Sequence, residues 1–306
     1  EAVNLPAMGK NNGVTLYDMI GLDYDDPKWD DLLDNLTFDE MNTLIGDAFH
    51  WTMPVKSIEA PGTRDENGPQ GLTASLLGND KSQLTATAFT SEDVMAATFN
   101  TEIMTEIGKV IGNNCLEANI ACLYGPGNNI HRTPYGGRNF EYYSEDPYLA
   151  GEMASAMVLG IQSQKIGATV KHFACNNKET NRKHSDSRVS ERALREIYLK
   201  AFELIVKEAD PWVIMSAYNM INGHRASENH DLLEGILRDE WHFHGMVTSD
   251  WWTRGEHYKE IKAGNDVKMA CGFPERVKKA MELGELDRSD LERCAKRVLD
   301  LILKID

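Results

Sequence analysis

Gly245-Met246-Val247-Thr248-Ser249-Asp250-Trp251-Trp252 is a short β-prone run that stops at a carboxylate backed by two indoles. In barrels and other α/β sheets an apolar strand ends at the C-terminal rim, where such folds keep their chemistry, so the run would present Asp250 to that rim. Most Asp residues at strand ends are caps or turn formers. The case for Asp250 therefore depends on what the rest of the chain sets beside it.

Working outward, the pattern around this stretch alternates. A helix is predicted over 92–114, then a buried strand Asn119-Ile120-Ala121-Cys122-Leu123-Tyr124, a helix over 147–163, a strand over 168–172 and a helix over 190–208. A strand over 212–216, a helix over 230–240, the strand 246–250, a helix over 255–263, a short strand over 266–270 and two closing helices follow. Repeated strand–helix–strand units imply a parallel sheet with helical crossovers. Leu194, Ile197, Ala201, Leu204 and Ile205 share one helical face, as do Leu291, Ala295, Val298, Leu299 and Ile302, and both faces read as core. No GxGxxG follows a strand; Gly125-Pro126-Gly127 is the nearest approach and a poor match. The pattern thus favours a TIM-like (β/α)8 barrel over a dinucleotide fold, with its N-terminal strands the place to expect irregularity or incompleteness.

Residues 1–45 are polar and acidic and read as a lead-in packed on the barrel, with Thr37-Phe38-Asp39-Glu40 as a helix-capping signal. Residues 46–306 form the barrel itself, with no internal repeat or low-complexity linker to divide them. Residues 46–78 are rich in Gly, Pro, Asp and Asn and read as a long loop, which includes Arg64-Asp65-Glu66-Asn67-Gly68-Pro69-Gln70-Gly71. Long structureless segments inside a compact domain are more often functional than idle.

Composition narrows the partners. The 306 residues are 42% hydrophobic and 26% charged, ordinary for a globular protein, and the formal charge of −16 would repel nucleic acid and anionic membranes. A neutral ligand is indifferent to that charge. No run of about 18 apolar residues suggests a membrane span, and no basic-then-apolar leader is visible. The five cysteines are scattered without CxxC spacing and read as reduced thiols, which points to a cytoplasmic location.

If the fold is a barrel, residues just past each strand share one rim. They are the loop 125–146 with His131, Arg138, Asn139, Glu141, Tyr142, Tyr143, Glu145 and Asp146; then Lys171-His172; then Tyr218-Asn219; and finally Asp250-Trp251. Cations, an imidazole, a phenol, a carboxylate and aromatic faces suit a neutral polyhydroxylated ligand and require neither metal nor cofactor. Sugar fits that inventory. Asp250 beside Lys171 and Arg138 would have its ionised form favoured by opposite charge, as a carboxylate nucleophile at an anomeric carbon requires. The plainer alternative pairs those cations with other rim carboxylates to order loops. His242-Phe243-His244 lacks a third metal ligand and reads as turn histidines, and Lys178-Glu179-Thr180-Asn181-Arg182-Lys183-His184 reads as a solvated charged loop. There is no nucleophile elbow and no zinc spacing.

Five segments carry a resemblance: Gly125-Pro126-Gly127-Asn128-Asn129-Ile130-His131-Arg132, Gly137-Arg138-Asn139-Phe140-Glu141-Tyr142-Tyr143-Ser144-Glu145-Asp146-Pro147, Lys171-His172-Phe173, Ser216-Ala217-Tyr218-Asn219 and Ser249-Asp250-Trp251. In order and spacing the chain resembles the β-glucosidases of glycoside hydrolase family 3, from near Pro27 to the C-terminus. The resemblance implies a TIM-like barrel and retaining hydrolysis of terminal β-linked glucose. Asp250 matches the family's nucleophile; Arg138, Lys171, His172 and Tyr218 match residues that hold the first sugar, and Trp251 the aromatic beside the nucleophile. Met215 and Glu179 stand in family-like contexts that imply lining the pocket or ordering loops. A β-xylosidase or N-acetylglucosaminidase of the same family is the alternative, as is a sugar-binding barrel with little activity alone.

Two departures stand out. Where the family places an Asp before the Gly-Pro of its sugar-binding loop this chain has Asn67, with Asp65 two residues earlier, so either residue is a candidate for the sugar contact. The family's acid/base is usually a Glu on a separate α/β sandwich domain, and no such domain is present in this sequence. The branch with a His after Lys-His-Phe-Pro-Gly is not matched by Lys171-His172-Phe173-Ala174-Cys175. The expected arrangement is a barrel partnered by a sandwich domain that supplies the Glu.

Overall fold

The structure, a computed structural model, describes residues 8–73 and 86–305. Its strands are β1 (Trp51–Thr52), β2 (Thr63–Asn67), β3 (Cys122–Tyr124), β4 (Gly167–Phe173), β5 (Asp186–Ser187), β6 (Val213–Ser216), β7 (Met220–Ile221), β8 (His224–Arg225) and β9 (Met246–Ser249). Six of them form one sheet in the order β1-β2-β3-β4-β6-β9, and β5, β7 and β8 form a small second sheet.

From β2 to β9 neighbouring strands of the main sheet are parallel. Parallel strands need long crossovers, and the chain supplies them: helices Glu92–Ala96 and Thr101–Glu117, Pro147–Gln162, Lys200–Ala209 and the wide helix Asp231–Glu240. Strand β1 is antiparallel to β2. The link between them contains only the 3-10 turn Lys56–Ile58, too little chain for a crossover, so the second strand turns straight back along the first.

The sheet curls toward its own beginning. After β9, the amides of Asp266 and Val267 donate to the Val247 carbonyl at 2.8 and 3.0 Å, and those of Lys268 and Ala270 donate to Ile45 and Ala48 at 2.8 and 2.7 Å. The strand expected over 266–270 is this bridging segment, with parallel bridges from Val267 to Thr248 and from Met269 to Ala48. The result is an incomplete barrel with mixed strands, irregular at its N-terminal side, rather than eight even strand–helix units.

Side chains alternate across this sheet as period-2 geometry requires. Cys122, Tyr124, Val213, Met215 and Met246 point into one core, shared with the lead-in helices and the last helix. Leu123, Ala168, Val170, Ile214 and Val247 point into the other, beneath the crossover helices. The lead-in folds as its capping signal predicts: the Thr37 hydroxyl accepts from the Glu40 amide at 3.2 Å and the Glu40 carboxylate accepts from the Thr37 amide at 2.9 Å, opening helix Phe38–Gly46. Leu32, Leu36 and Leu44 then share a core with Leu291, Val298 and Leu299 of helix Arg288–Ile305.

Three sequence expectations are corrected. Residues 63–67 are a strand, not part of a loop, and residues 74–78 of that expected loop lie outside the described residues. The helix predicted over 190–208 contains a π-turn at Leu194–Tyr198; an extra residue rotates the following face by about 100°, so Ile197 is 39% exposed while Ala201 and Ile205 are buried. Met215 is barrel core, not pocket wall. No helix among the described residues is long and apolar enough to cross a membrane.

Candidate active site

At the carboxyl ends of the parallel strands lies an open pocket of about 470 Å³, within the usual range for small-molecule sites. Asn67, Arg138, Glu141, Lys171, His172, Arg182, Tyr218, Asp250 and Trp251 line it, with Phe49, His50, Pro69, Phe140 and Trp252 at its walls and mouth. The structure thus brings together every residue matched to the sugar site except Asp65, whereas His131, Asn139, Tyr143 and Glu145 of the wider rim set line a separate hollow.

Asp250 follows β9 directly, and its amide donates to the Ser216 carbonyl at the end of β6, 3.3 Å away. One carboxylate oxygen accepts from the Trp251 amide at 2.8 Å. The other, Oδ2, is buried without a hydrogen bond among the described residues and has His172 Nε2 at 3.6 Å. Burial raises its pKa above the ordinary Asp value; Arg138, the Trp251 amide, the Tyr218 hydroxyl and Arg182 oppose that rise. The expected stabilisation by opposite charge is present, but burial outweighs it.

His172 is neutral: burial, reinforced by Arg138 and Lys171, pushes its pKa well below the ordinary value. Its tautomer follows from its neighbours. Asn176 Nδ2 donates to the Tyr142 hydroxyl at 3.0 Å, which leaves that hydroxyl to donate to His172 Nδ1, also at 3.0 Å. Nε2 therefore carries the proton and points it at the space before Asp250. The His172 backbone is pinned from both sides by Asn129, which accepts from its amide at 3.0 Å and donates to its carbonyl at 2.9 Å.

Glu141 lies at the centre of the cationic wall. It pairs with Arg138 Nε and, at 3.4 Å, with Lys171 Nζ. Burial works to raise its pKa, but Lys171 and Arg138 prevail and hold it low. Lys171 is lowered by its own burial against the pull of Glu141. The sequence placed Glu141 on the rim and gave it no role; the signal was its spacing of three from Arg138 within one turn. The segment 178–184, read as solvated, supplies Arg182 to the pocket. Glu179 orders it, accepting from Arg182 at 2.8 Å and from Asn176 at 3.0 Å.

Asn67 and Asp65 point to the same side of β2 but at different heights. Asn67, at the strand end, lines the pocket. Asp65 lies one residue pair lower, inside the barrel, with Thr63 Oγ1 at 3.3 Å and the Tyr124 hydroxyl at 3.4 Å. Burial pushes its pKa up to about 7 against those two hydrogen bonds. Trp251 forms the pocket's back wall, its Nε1 donating to the Phe49 carbonyl at 3.0 Å and its ring edge-on to Tyr124 at 4.7 Å.

The loop that follows is anchored from below. Lys268 is fully buried; its ammonium donates to Glu260 at 2.6 Å, to Thr253 Oγ1 at 2.9 Å and to the Gly255 carbonyl at 2.9 Å. Glu260 in turn accepts from Ser227 at 2.7 Å and from Thr253 at 2.9 Å. This satisfied ion pair fixes the turn that carries Trp251 and Trp252.

These features define an α/β-barrel protein whose strand ends hold one pocket with a carboxylate, matched cations and aromatic walls. The chain belongs to glycoside hydrolase family 3: residues 72–301 match the model described as the glycosyl hydrolase family 3 N terminal domain. It is 54% identical over 237 residues to β-glucosidase A of Butyrivibrio fibrisolvens, a match that covers 77% of this chain and 28% of that protein. It is 41% identical to an exo-α-(1→6)-L-arabinopyranosidase of Bifidobacterium breve, over 88% of this chain and 37% of the relative. β-Glucosidase 3B of Thermotoga neapolitana, solved in complex with α-D-glucose, superposes with a TM-score of 0.86 at 40% identity, covering 90% of this chain and 42% of that one. The chain spans about a third of the length of such curated relatives.

Proposed function

We propose that the chain is the nucleophile-bearing barrel, TIM-like in its (β/α)8 plan, of a retaining β-glucosidase that releases terminal β-D-glucosyl residues by double displacement. The observation that carries the reading is Asp250 Oδ2: a buried carboxylate oxygen without a hydrogen bond among the described residues, in a pocket whose other polar groups are held in place. In this mechanism Oδ2 attacks the anomeric carbon and a glucosyl ester forms. His172 Nε2–H, Lys171, Arg138 and Asn67 hold sugar hydroxyls, and Trp251 offers its face to the sugar's C–H surface. Water then releases glucose. The reaction as proposed uses no cofactor.

A second carboxylic acid about 5 to 5.5 Å from the nucleophile must protonate the leaving oxygen. Glu141, the other carboxylate lining the pocket among the described residues, is held ionised by two cations and cannot serve as that acid. A Glu from an α/β sandwich domain is the proposed partner, consistent with the fraction of its relatives that this chain spans. The protein is proposed to work in the cytoplasm.

The similarity to an arabinopyranosidase supports a second reading, a pocket that takes a pentopyranoside. One experiment addresses both. Incubation with a 2-deoxy-2-fluoro-β-glucosyl fluoride, followed by peptide mass mapping, should find a glucosyl ester on Asp250; parallel rates on aryl β-glucoside and aryl α-L-arabinopyranoside rank the sugars. A label on another residue, or none, would overturn the mechanism.

A further inference from the structure

The mouth of the pocket differs electrically from its floor. On the floor each cation has a carboxylate: Arg138 and Lys171 meet Glu141, and Arg182 meets Glu179. At the mouth, Lys183 places its ammonium 4.8 Å from the Tyr218 ring centre and 5.9 Å from that of Trp252, with the Trp252 carbonyl accepting at 3.5 Å. Among the described residues neither Lys183 nor the exposed Arg254 has a carboxylate within 4.0 Å. Burial lowers the Lys183 pKa, the Asp250 carboxylate opposes that fall, and Arg182 and then Arg254 add to it. Beside them the Trp252 indole is 52% exposed, with Phe49 edge-on at 5.4 Å. Its backbone lies in the left-handed region at φ 53°, and its amide donates a hydrogen bond to the Met269 carbonyl at 3.2 Å.

Among the described residues an exposed indole therefore stands beside two cations without an ion-pair partner, in a chain of net charge −16 where carboxylates are plentiful. A neutral sugar in the second position could stack on Trp252 but would leave the cations unanswered. A flat ring bearing an anion answers both features, since the ring lies on the indole while its carboxylate takes charge-assisted hydrogen bonds from a partly desolvated ammonium.

We propose that the mouth recognises the leaving half of the substrate as an aromatic carboxylate, so that the preferred substrates are β-glucosides of hydroxylated aromatic acids, bound with the ring on Trp252 and the carboxylate between Lys183 and Arg254. This rests on the β-glucosidase reading.

The test is calorimetric binding of hydrolysis-resistant phenyl β-D-thioglucosides, one with a 4-carboxylate and one with a 4-carboxamide. The carboxylate should bind about five- to tenfold tighter, which corresponds to roughly 1–1.4 kcal/mol, and the advantage should shrink as salt is raised. Lys183→Met should cut the preference several-fold and Lys183→Arg should keep it, while Trp252→Ala should weaken both ligands. Equal affinity of the wild-type chain for the two ligands would overturn the inference and leave the glucoside reading standing. So would a preference that Lys183→Met and Arg254→Met both leave unchanged. Binding of neither ligand would overturn the glucoside reading and this inference with it.

Discussion

Burial and ionisation make opposed demands on Asp250, and at the scale of the residue that conflict sets both its pH behaviour and its effect on stability. A carboxylate with a pKa raised by the fold is protonated more readily folded than unfolded. Folding stability is therefore lost as pH rises from the ordinary carboxylate value through the raised one, and remains reduced at neutral pH. Asp250→Asn should accordingly abolish glucosyl transfer and raise the thermal midpoint at pH 7, checked by calorimetry against the wild type; an unchanged or lower midpoint would contradict the burial argument. The proposed nucleophile needs the anion, so the acid limb of kcat/KM should lie above the range of a free Asp. Arg138 gives the largest opposing pull, and Arg138→Met should move that limb to still higher pH in a profile measured on an activated aryl glucoside. Glu141 poses the converse problem. Replacing it by Gln leaves Arg138 and Lys171 buried with reduced compensation, a change that costs about 3–5 kcal/mol where a buried pair is broken. Urea titration should show that loss.

At the scale of the element, the legible parts were those with a strong apolar period. Strands β3, β4, β6 and β9 and the last helix stood out because each has one apolar face or two, and the rim residues followed from where those strands end. Strand β2 did not: Thr63-Arg64-Asp65-Glu66-Asn67 is polar throughout and is a strand because neighbours on both sides take its backbone bonds. For the same reason the sequence could not choose between Asp65 and Asn67, whose difference is depth along a strand that had not been recognised. Arg182 was hidden in a run of charges, since nothing local says that Glu179 folds the loop back over the pocket. The Lys268–Glu260 pair was equally silent, being an ion pair formed across a turn with both partners fully buried. Its prediction belongs here. Lys268→Met should cost about 3–5 kcal/mol by leaving Glu260 unpaired, and adding Glu260→Gln should recover a large part of it. Because the turn carries Trp251 and Trp252, the single variant should also raise KM for aryl glucosides, whereas a purely global effect would leave the KM of the folded fraction unchanged.

At the scale of the whole molecule, the question is how much of a hydrolase this barrel is. A retaining enzyme needs an anion and an acid, and among the described residues the carboxylates lining the pocket are Asp250 and Glu141. Glu141 is tied to Arg138 and Lys171 and held ionised. Glu92 is a fully buried carboxyl whose pKa is pushed well above the ordinary value by burial and then by Glu141, but it lies outside the pocket lining. If Asp250 is the nucleophile, as proposed, a chain with no acid positioned among its described residues should form the glucosyl ester only from leaving groups that depart as stable anions. Its rates should fall steeply along a series of aryl glucosides as the phenol becomes less acidic. General acid catalysis contributes about 10²–10⁴-fold, so cellobiose, with an alkoxide-like leaving group, should be turned over slower than 4-nitrophenyl β-glucoside by at least that factor. Single-turnover kinetics on this chain would measure the slope. A flat dependence on leaving-group acidity, with cellobiose cleaved as readily as the activated glucoside, would mean that an acid acts from within these residues and that no second domain is required to complete the site.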